Sequence, residues 1–237
     1  MKLKVIYEDE NVLVIDKPAA IVVFPEGKTK EKTLIDYLLD ESPYLKNVGE
    51  APRFGIVHRL DKDTSGILLV AKNNESLNFL QKQFKNRKVI KKYLALVTGE
   101  VKEKEGKIET LIGRSPKDKR KQKVYLTHEP KSKGKREAIT KYKVLEKFKN
   151  YTLVEIKLET GRKHQIRTHF AYFCHPIAGD KIYSFKNQIC PKDLKRQFLH
   201  ASYIKIQLPN GKIKDFKSEL PENLKKILKN LNYVYKN

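Results

Sequence analysis

The chain has 237 residues, room for one large domain or two small ones. Lys and Arg number 51 against 28 Asp and Glu, a net charge of +23, and 39% of the residues are hydrophobic. That apolar fraction supports a packed core and excludes a wholly disordered chain, while the longest apolar runs, Ala19–Phe24 and Ile67–Ala71, fall far short of the about 18 residues that span a bilayer. In chain order, Lys4–Tyr7 and Val12–Asp16 are short β-like runs around Glu8–Asn11, a predicted hairpin that Pro18 ends. Leu34, Tyr37 and Leu38 share one face of a predicted helix over Thr33–Asp40, closed by Ser42-Pro43. Gly55–Leu60 and Ile67–Lys72 read as strands flanking the polar loop DKDTSG. Asn73 or Asn74 caps a helix striped by Leu77, Leu80 and Phe84. Val89–Thr98, Lys107–Ile112, Ile139–Leu145 and Tyr151–Leu158 are further strands, and Ile166, Phe170 and Phe173 place a helix over Arg162–Phe173. Leu199–Leu208 and Lys212–Phe216 flank the hairpin turn Pro209-Asn210-Gly211, and Leu224, Ile227, Leu228 and Leu231 line one side of a terminal helix over Pro221–Asn232. Strands outnumber helices and turns join most neighbours, which predicts an α+β fold with a largely antiparallel sheet and not a doubly wound one. Without a GxGxxG or Walker pattern, no nucleotide cofactor is indicated.

The N-terminus reaches Glu8 and Asp9 before any long apolar stretch, unlike a signal peptide, and two Cys without a CxxC pattern fit neither a disulfide scaffold nor a zinc ribbon. A reducing cytoplasm is the expected setting. The charge asks for a polyanion: self-repulsion costs stability, and each phosphate neutralised releases a counterion. A lysine-rich proteome would produce the same count. A membrane surface fits less well, because no segment reads as both basic and strongly amphipathic. The charge is densest over Arg114–Arg136, with ten basic residues against Asp118 and Glu129. Broken by Pro116, Pro130 and Gly134, this stretch reads as a long basic loop or a pair of ragged strands, with Lys119, Arg120, Lys121 and Lys123 as candidate contacts to a phosphate backbone.

Three constellations could carry chemistry. His58–Gly66 runs from strand into a loop with two carboxylates, Asp61 and Asp63, where reactive groups often sit. The same loop reads equally as a turn whose Asp and Thr side chains cap backbone N–H groups. Thr160–His169 crowds basic and amide side chains at a helix start and suits a phosphate or carboxylate partner; a solvated basic face is the plainer reading. His58, His164, His169, His175 and Cys174 lack the spacings of metal ligands, so no metal is expected. In Lys91–Val97, period 2 puts Tyr93, Ala95 and Val97 on one face, where Tyr93 could pack in a core, stack on a base or donate its hydroxyl.

In this order, HRLDKDTSGILLVAK, KKYLALVTGEV and LETGRKHQIRTHFAYFCHPIAGDKIY resemble the motifs of the RluA/RluD-type family of pseudouridine synthases. YEDENVLVIDKP and FLHASYIKIQLP resemble flanking blocks, so the likeness runs from Val5 to Leu208. The resemblance implies the pseudouridine synthase fold, a mixed, largely antiparallel sheet flanked by helices and loops with a catalytic cleft across it. It implies a single catalytic domain over 1–237, with a core over 5–208 and a C-terminal helix over 221–232. It also implies isomerisation of uridine in structured rRNA or tRNA, without cofactor or metal, by a cytoplasmic enzyme taken as a monomer. Asp61 then stands as the catalytic carboxylate, either nucleophile or base at the ribose. Tyr93 matches the tyrosine that packs on the target base and can take its C5 proton, and Arg167 the basic residue paired with the catalytic Asp, with Arg162 as second choice. Arg59 matches an Arg that fills the stack vacated by a flipped base. Leu60, Thr64, His164, Gln165 and Ile166 are the remaining expected substrate contacts, Leu60 and Ile166 as pocket walls. Ala20, Phe24 and Cys174 depart from the residues usual in the family. Many relatives carry an N-terminal S4 module; this chain opens on the catalytic block and reads as a short form without it. Two other classes compete: a non-catalytic basic protein of RNA binding or ribosome assembly, and a hydrolase built on Asp61 and Asp63, whose spacing is unfavourable.

Overall fold

A computed structural model describes residues 3–25 and 31–232. The chain divides into two compact units, Met1–Ile90 with Ala201–Glu219, and Lys91–His200 with Leu220–Asn237.

The first unit is built around β3 (Ser65–Ala71), all seven residues of which are buried. An unbroken apolar strand is what a position covered on both sides requires. β2 (Val12–Lys17) pairs with it antiparallel, Lys17 opposite Gly66, and β1 (Lys4–Glu8) closes the predicted hairpin against β2. Gly66 has φ +113 and lies so close to Ala201 that a Cβ would sit 2.2 Å from its carbonyl oxygen, so only glycine fits there. Ala201 belongs to β9 (Leu199–Gln207), which pairs antiparallel with β10 (Ile213–Lys217) across the predicted Asn210-Gly211 turn. Helix α1 (Leu34–Glu41) buries Leu34, Ile35 and Leu38, and the Asp36 carboxylate accepts both the N–H and the hydroxyl of Thr33 ahead of it. Helix α2 (Asn74–Lys85) packs on β3 and starts at Asn73, whose side chain accepts the Ser76 N–H at 2.8 Å.

Gly55–Leu60 is not a strand. Only Ile56 forms a bridge, to Val70. The next ladder position is taken by a side chain: the Leu69 N–H donates to His58 Nε2 at 3.1 Å in place of a backbone carbonyl.

The second unit orders its strands β4-β8-β7-β5-β6, with β4 (Ile90–Thr98), β5 (Glu105–Arg114), β6 (Gln122–Tyr125), β7 (Arg136–Phe148) and β8 (Tyr151–Leu158). Each neighbouring pair is antiparallel. The basic stretch is therefore more ordered than its charge suggests, because Val124 and Tyr125 are buried and pin β6 onto β5. Helix α3 (Gln165–Tyr172) packs against β6 and β7. Helix α4 (Glu222–Lys229) is basic and amphipathic, a combination the sequence reading did not find. Its apolar face is spent on a core: Leu224 and Ile227 pack with Phe148, Tyr151, Leu153 and Phe198. The expected α+β class with a largely antiparallel sheet is borne out in both units. No helix among the described residues is long and apolar enough to cross a membrane.

Candidate active site

In the first unit, β2 and β3 bracket the segment that carries Arg59, Leu60, Asp61 and Thr64. Asp61 is half-buried at the start of a tight turn over Lys62 and Asp63, closed where the Thr64 N–H donates to the Asp61 carbonyl at 3.1 Å. Leu60 and Thr64, on either side, are buried. The turn is latched from below by Lys17, whose side chain is 0% exposed. Its ammonium donates to the carbonyls of Pro18 at 2.8 Å, Lys62 at 3.1 Å and Thr64 at 2.9 Å. Three carbonyl dipoles stand in for the water that this cation has lost. The latch fixes the backbone on both sides of Asp63 and so fixes where Asp61 points. Sequence reading passed over Lys17; the signal was an ammonium ending a strand, VLVIDK, whose other residues are nearly all apolar. Arg59 lies with its guanidinium carbon 5.2 Å from the centre of the Phe24 ring.

In the second unit, Tyr93 sits in β4 opposite Ile156 of β8 and is buried. The predicted helix over Arg162–Phe173 begins three residues later, at Gln165. Its entry is a loop in which His164 takes φ 56, a left-handed conformation rare outside glycine. Gln165 is the strut of that loop. Its Oε1 accepts from Thr160 Oγ1 and the Arg162 N–H, both at 2.9 Å, and its amide donates to the Ile139 carbonyl and Thr140 Oγ1, both at 3.0 Å. All four of its hydrogen-bonding positions are used within the fold, so this expected substrate contact instead sets loop shape. Arg162 Nε donates to the Glu137 carbonyl at 2.8 Å. Ile166 is buried.

Arg167 is buried and makes a two-pronged pair with Asp180, Nε to Oδ2 at 2.6 Å and Nη2 to Oδ1 at 2.9 Å. Asp180 Oδ1 also accepts the N–H groups of Ile182 and Tyr183 at 2.8 and 3.0 Å. Burial pushes the Asp180 carboxyl up, but the Arg167 guanidinium and these N–H groups outweigh it and hold it below the usual carboxylate range. The Tyr183 ring lies under the same guanidinium, 5.1 Å from centroid to Cζ. The Tyr183 hydroxyl accepts the Gln122 N–H at 2.7 Å and lies 2.9 Å from His164 Nδ1, tying the basic strand β6 to the entry of α3. Burial pushes that hydroxyl up, so it keeps its proton. Asp180 and Tyr183 stand in the motif GDKIY but were not singled out from sequence. Among the expected backbone contacts, Lys123 is in β6, while Arg120 folds back onto Asp118, Nη2 to Oδ2 at 2.8 Å.

Comparison with known proteins gives a consistent answer. Residues 11–172 match the family described as RNA pseudouridylate synthase. The chain is 40% identical over 232 residues to the RNA pseudouridine synthase YlyB of Bacillus subtilis, covering 98% of this chain and 73% of that one. It is 41% identical over 233 residues to ribosomal large subunit pseudouridine synthase D of Nitrosomonas europaea, covering 95% and 64%. The solved structure of human RNA pseudouridylate synthase domain containing 1 superposes with a TM-score of 0.75 at 27% identity, over 93% of this chain and 84% of that one. With most of the chain covered at such identity, the chain belongs to the RNA pseudouridylate synthase family of isomerases.

Proposed function

We propose that this chain converts uridine in structured RNA to pseudouridine, with Asp61 as the catalytic carboxylate. The observation that supports the role of Asp61 is the latch beneath its turn: a fully buried ammonium donates to the Lys62 and Thr64 carbonyls and holds a turn with two half-buried carboxylates, Asp61 and Asp63, of which the family motif singles out Asp61. A family chain needs a carboxylate held still, and the resemblance of HRLDKDTSG gives that part to Asp61 rather than to Asp63. The names of relatives from several bacteria point to large-subunit ribosomal RNA as the substrate to try first.

The reaction breaks the N1–C1′ bond, turns the base and forms a C5–C1′ bond. The C5 proton leaves and N1 gains one. Every bond broken or made lies in the substrate or exchanges a proton, so no electron or group enters from outside. Asp61 acts at the electron-poor ribose, as nucleophile or as base. The target base leaves its stack to be reached, and Arg59, planar and cationic, takes its place. By the family resemblance Tyr93 gives the base a ring to pack on, and Leu60 and Ile166 take the part of apolar walls that exclude water while the base is detached. Arg167, already fixed by Asp180, supplies positive charge in surroundings of low dielectric.

Incubating the chain with an in vitro transcript of large-subunit ribosomal RNA, then digesting to nucleosides, tests the reading. Uridine lost should equal pseudouridine gained, with no metal or cofactor added. RNA bound tightly but returned with its uridine intact would instead support the non-catalytic alternative.

A further inference from the structure

Phe24 and Arg53 have no part in the roles above. Phe24 is fixed by its neighbour Val23, whose carbonyl accepts the Ile35 N–H at 3.0 Å in the first turn of α1. Its ring is buried, yet two guanidinium carbons lie over it, Arg53 at 4.9 Å and Arg59 at 5.2 Å from the centroid. Arg53 is exposed on a turn closed at both ends, its N–H donating to the Glu50 carbonyl at 2.9 Å and its carbonyl accepting the Ile56 N–H at 2.7 Å. Among the described residues, Arg53 has no carboxylate partner. Sharing one ring puts the two guanidinium carbons within about 10 Å of each other.

An exposed guanidinium laid on a buried ring, with no carboxylate among the described residues to neutralise it, is left to take an external anion. Aromatic contact holds a guanidinium while leaving its N–H edge available, and that planar edge matches a phosphate's oxygens. Arg59 stands two residues before Asp61, so an anion on Arg53 would lie along the strand that Arg59 enters. We propose that Phe24 and Arg53 form a phosphate-binding site for the RNA backbone flanking the target uridine. Phe24 is the positioning residue that holds Arg53 beside Arg59, and Arg53 is the phosphate ligand. The inference rests on the RNA-isomerase reading for the identity of the ligand.

The test measures binding of the same ribosomal RNA transcript across about 50 to 200 mM salt, apart from any conversion. Arg53→Gln should weaken binding about tenfold and lower the slope of log K against log salt by about one. Arg53→Lys should keep the slope, since the charge remains, and recover only part of the affinity, since the planar fork is lost. Phe24→Leu should weaken binding, and joining it to Arg53→Gln should add little, because the two residues act as one unit. A wild-type slope and affinity in Arg53→Gln overturns the site whatever the enzyme converts. A slope that depends on Arg53 in a chain that isomerises no uridine keeps the site and overturns the catalytic reading instead.

Discussion

Lys17 ends β2 with a fully buried cation that donates to the carbonyls of Pro18, Lys62 and Thr64, so it is costly to leave half-made. Lys17→Met keeps the length and packing of the side chain but removes the donor from the Pro18 carbonyl and from the Lys62 and Thr64 carbonyls of the Asp61 turn. The expected loss is about 2–4 kcal/mol by urea unfolding, with faster hydrogen exchange over residues 61–66. Wild-type stability in that variant would show that the latch is idle. His169 is another buried titratable side chain, set between Thr110 Oγ1 at 3.0 Å and Thr140 Oγ1 at 2.9 Å. Burial pushes its imidazole down to about 4, against about 6.5 in an unfolded chain. The unfolded state therefore binds the proton first as pH falls. The contribution of His169 is complete above about pH 6.5 and is lost towards pH 4, at no more than about 1.4 kcal/mol per pH unit. His169→Gln should flatten the stability profile over that window relative to the unaltered chain; parallel profiles would contradict the assignment.

At the scale of elements, α3 depends on a partner outside itself. Asp180→Asn removes the charge that balances a buried guanidinium, which should cost about 3–5 kcal/mol by denaturant unfolding. If Asp180 only supported the fold, RNA affinity and turnover would fall together. If it orients Arg167 for chemistry, kcat falls further than KM rises. Elements with a strong local signal were legible in the sequence: the β1–β2 hairpin, the Asn73 cap, the β9–β10 turn and the apolar stripe of α2. Elements decided by tertiary partners were not. Gly55–Leu60 has the β-branched Ile56 and Val57 of a strand, but the His58 ring intercepts its ladder. Arg162–His164 has helical company, but the Gln165 side chain binds the Arg162 N–H and winds that segment into a loop. β6 was hidden among lysines because only Val124 and Tyr125 report its burial. The candidate residues were legible through their motifs, whereas the partners of Lys17, Asp180 and Tyr183 were not: Lys62 and Thr64, Arg167, and Gln122 lie 13 to 61 residues away in sequence.

For the whole molecule, the net charge of +23 and the family's reaction fit the account proposed above, in which basic residues gather RNA and the Asp61 carboxylate does the chemistry. The charge explains binding and salt dependence but cannot distinguish an isomerase from a passive binder. Asp61 can. Replacing C5–H by a carbon–carbon bond must release the hydrogen at C5, so RNA labelled with tritium at that carbon reports each turnover. The unaltered chain should release tritium to water, and Asp61→Asn, matched to it in unfolding midpoint and RNA affinity, should release none above background. Release by Asp61→Asn at the unaltered rate would contradict the account.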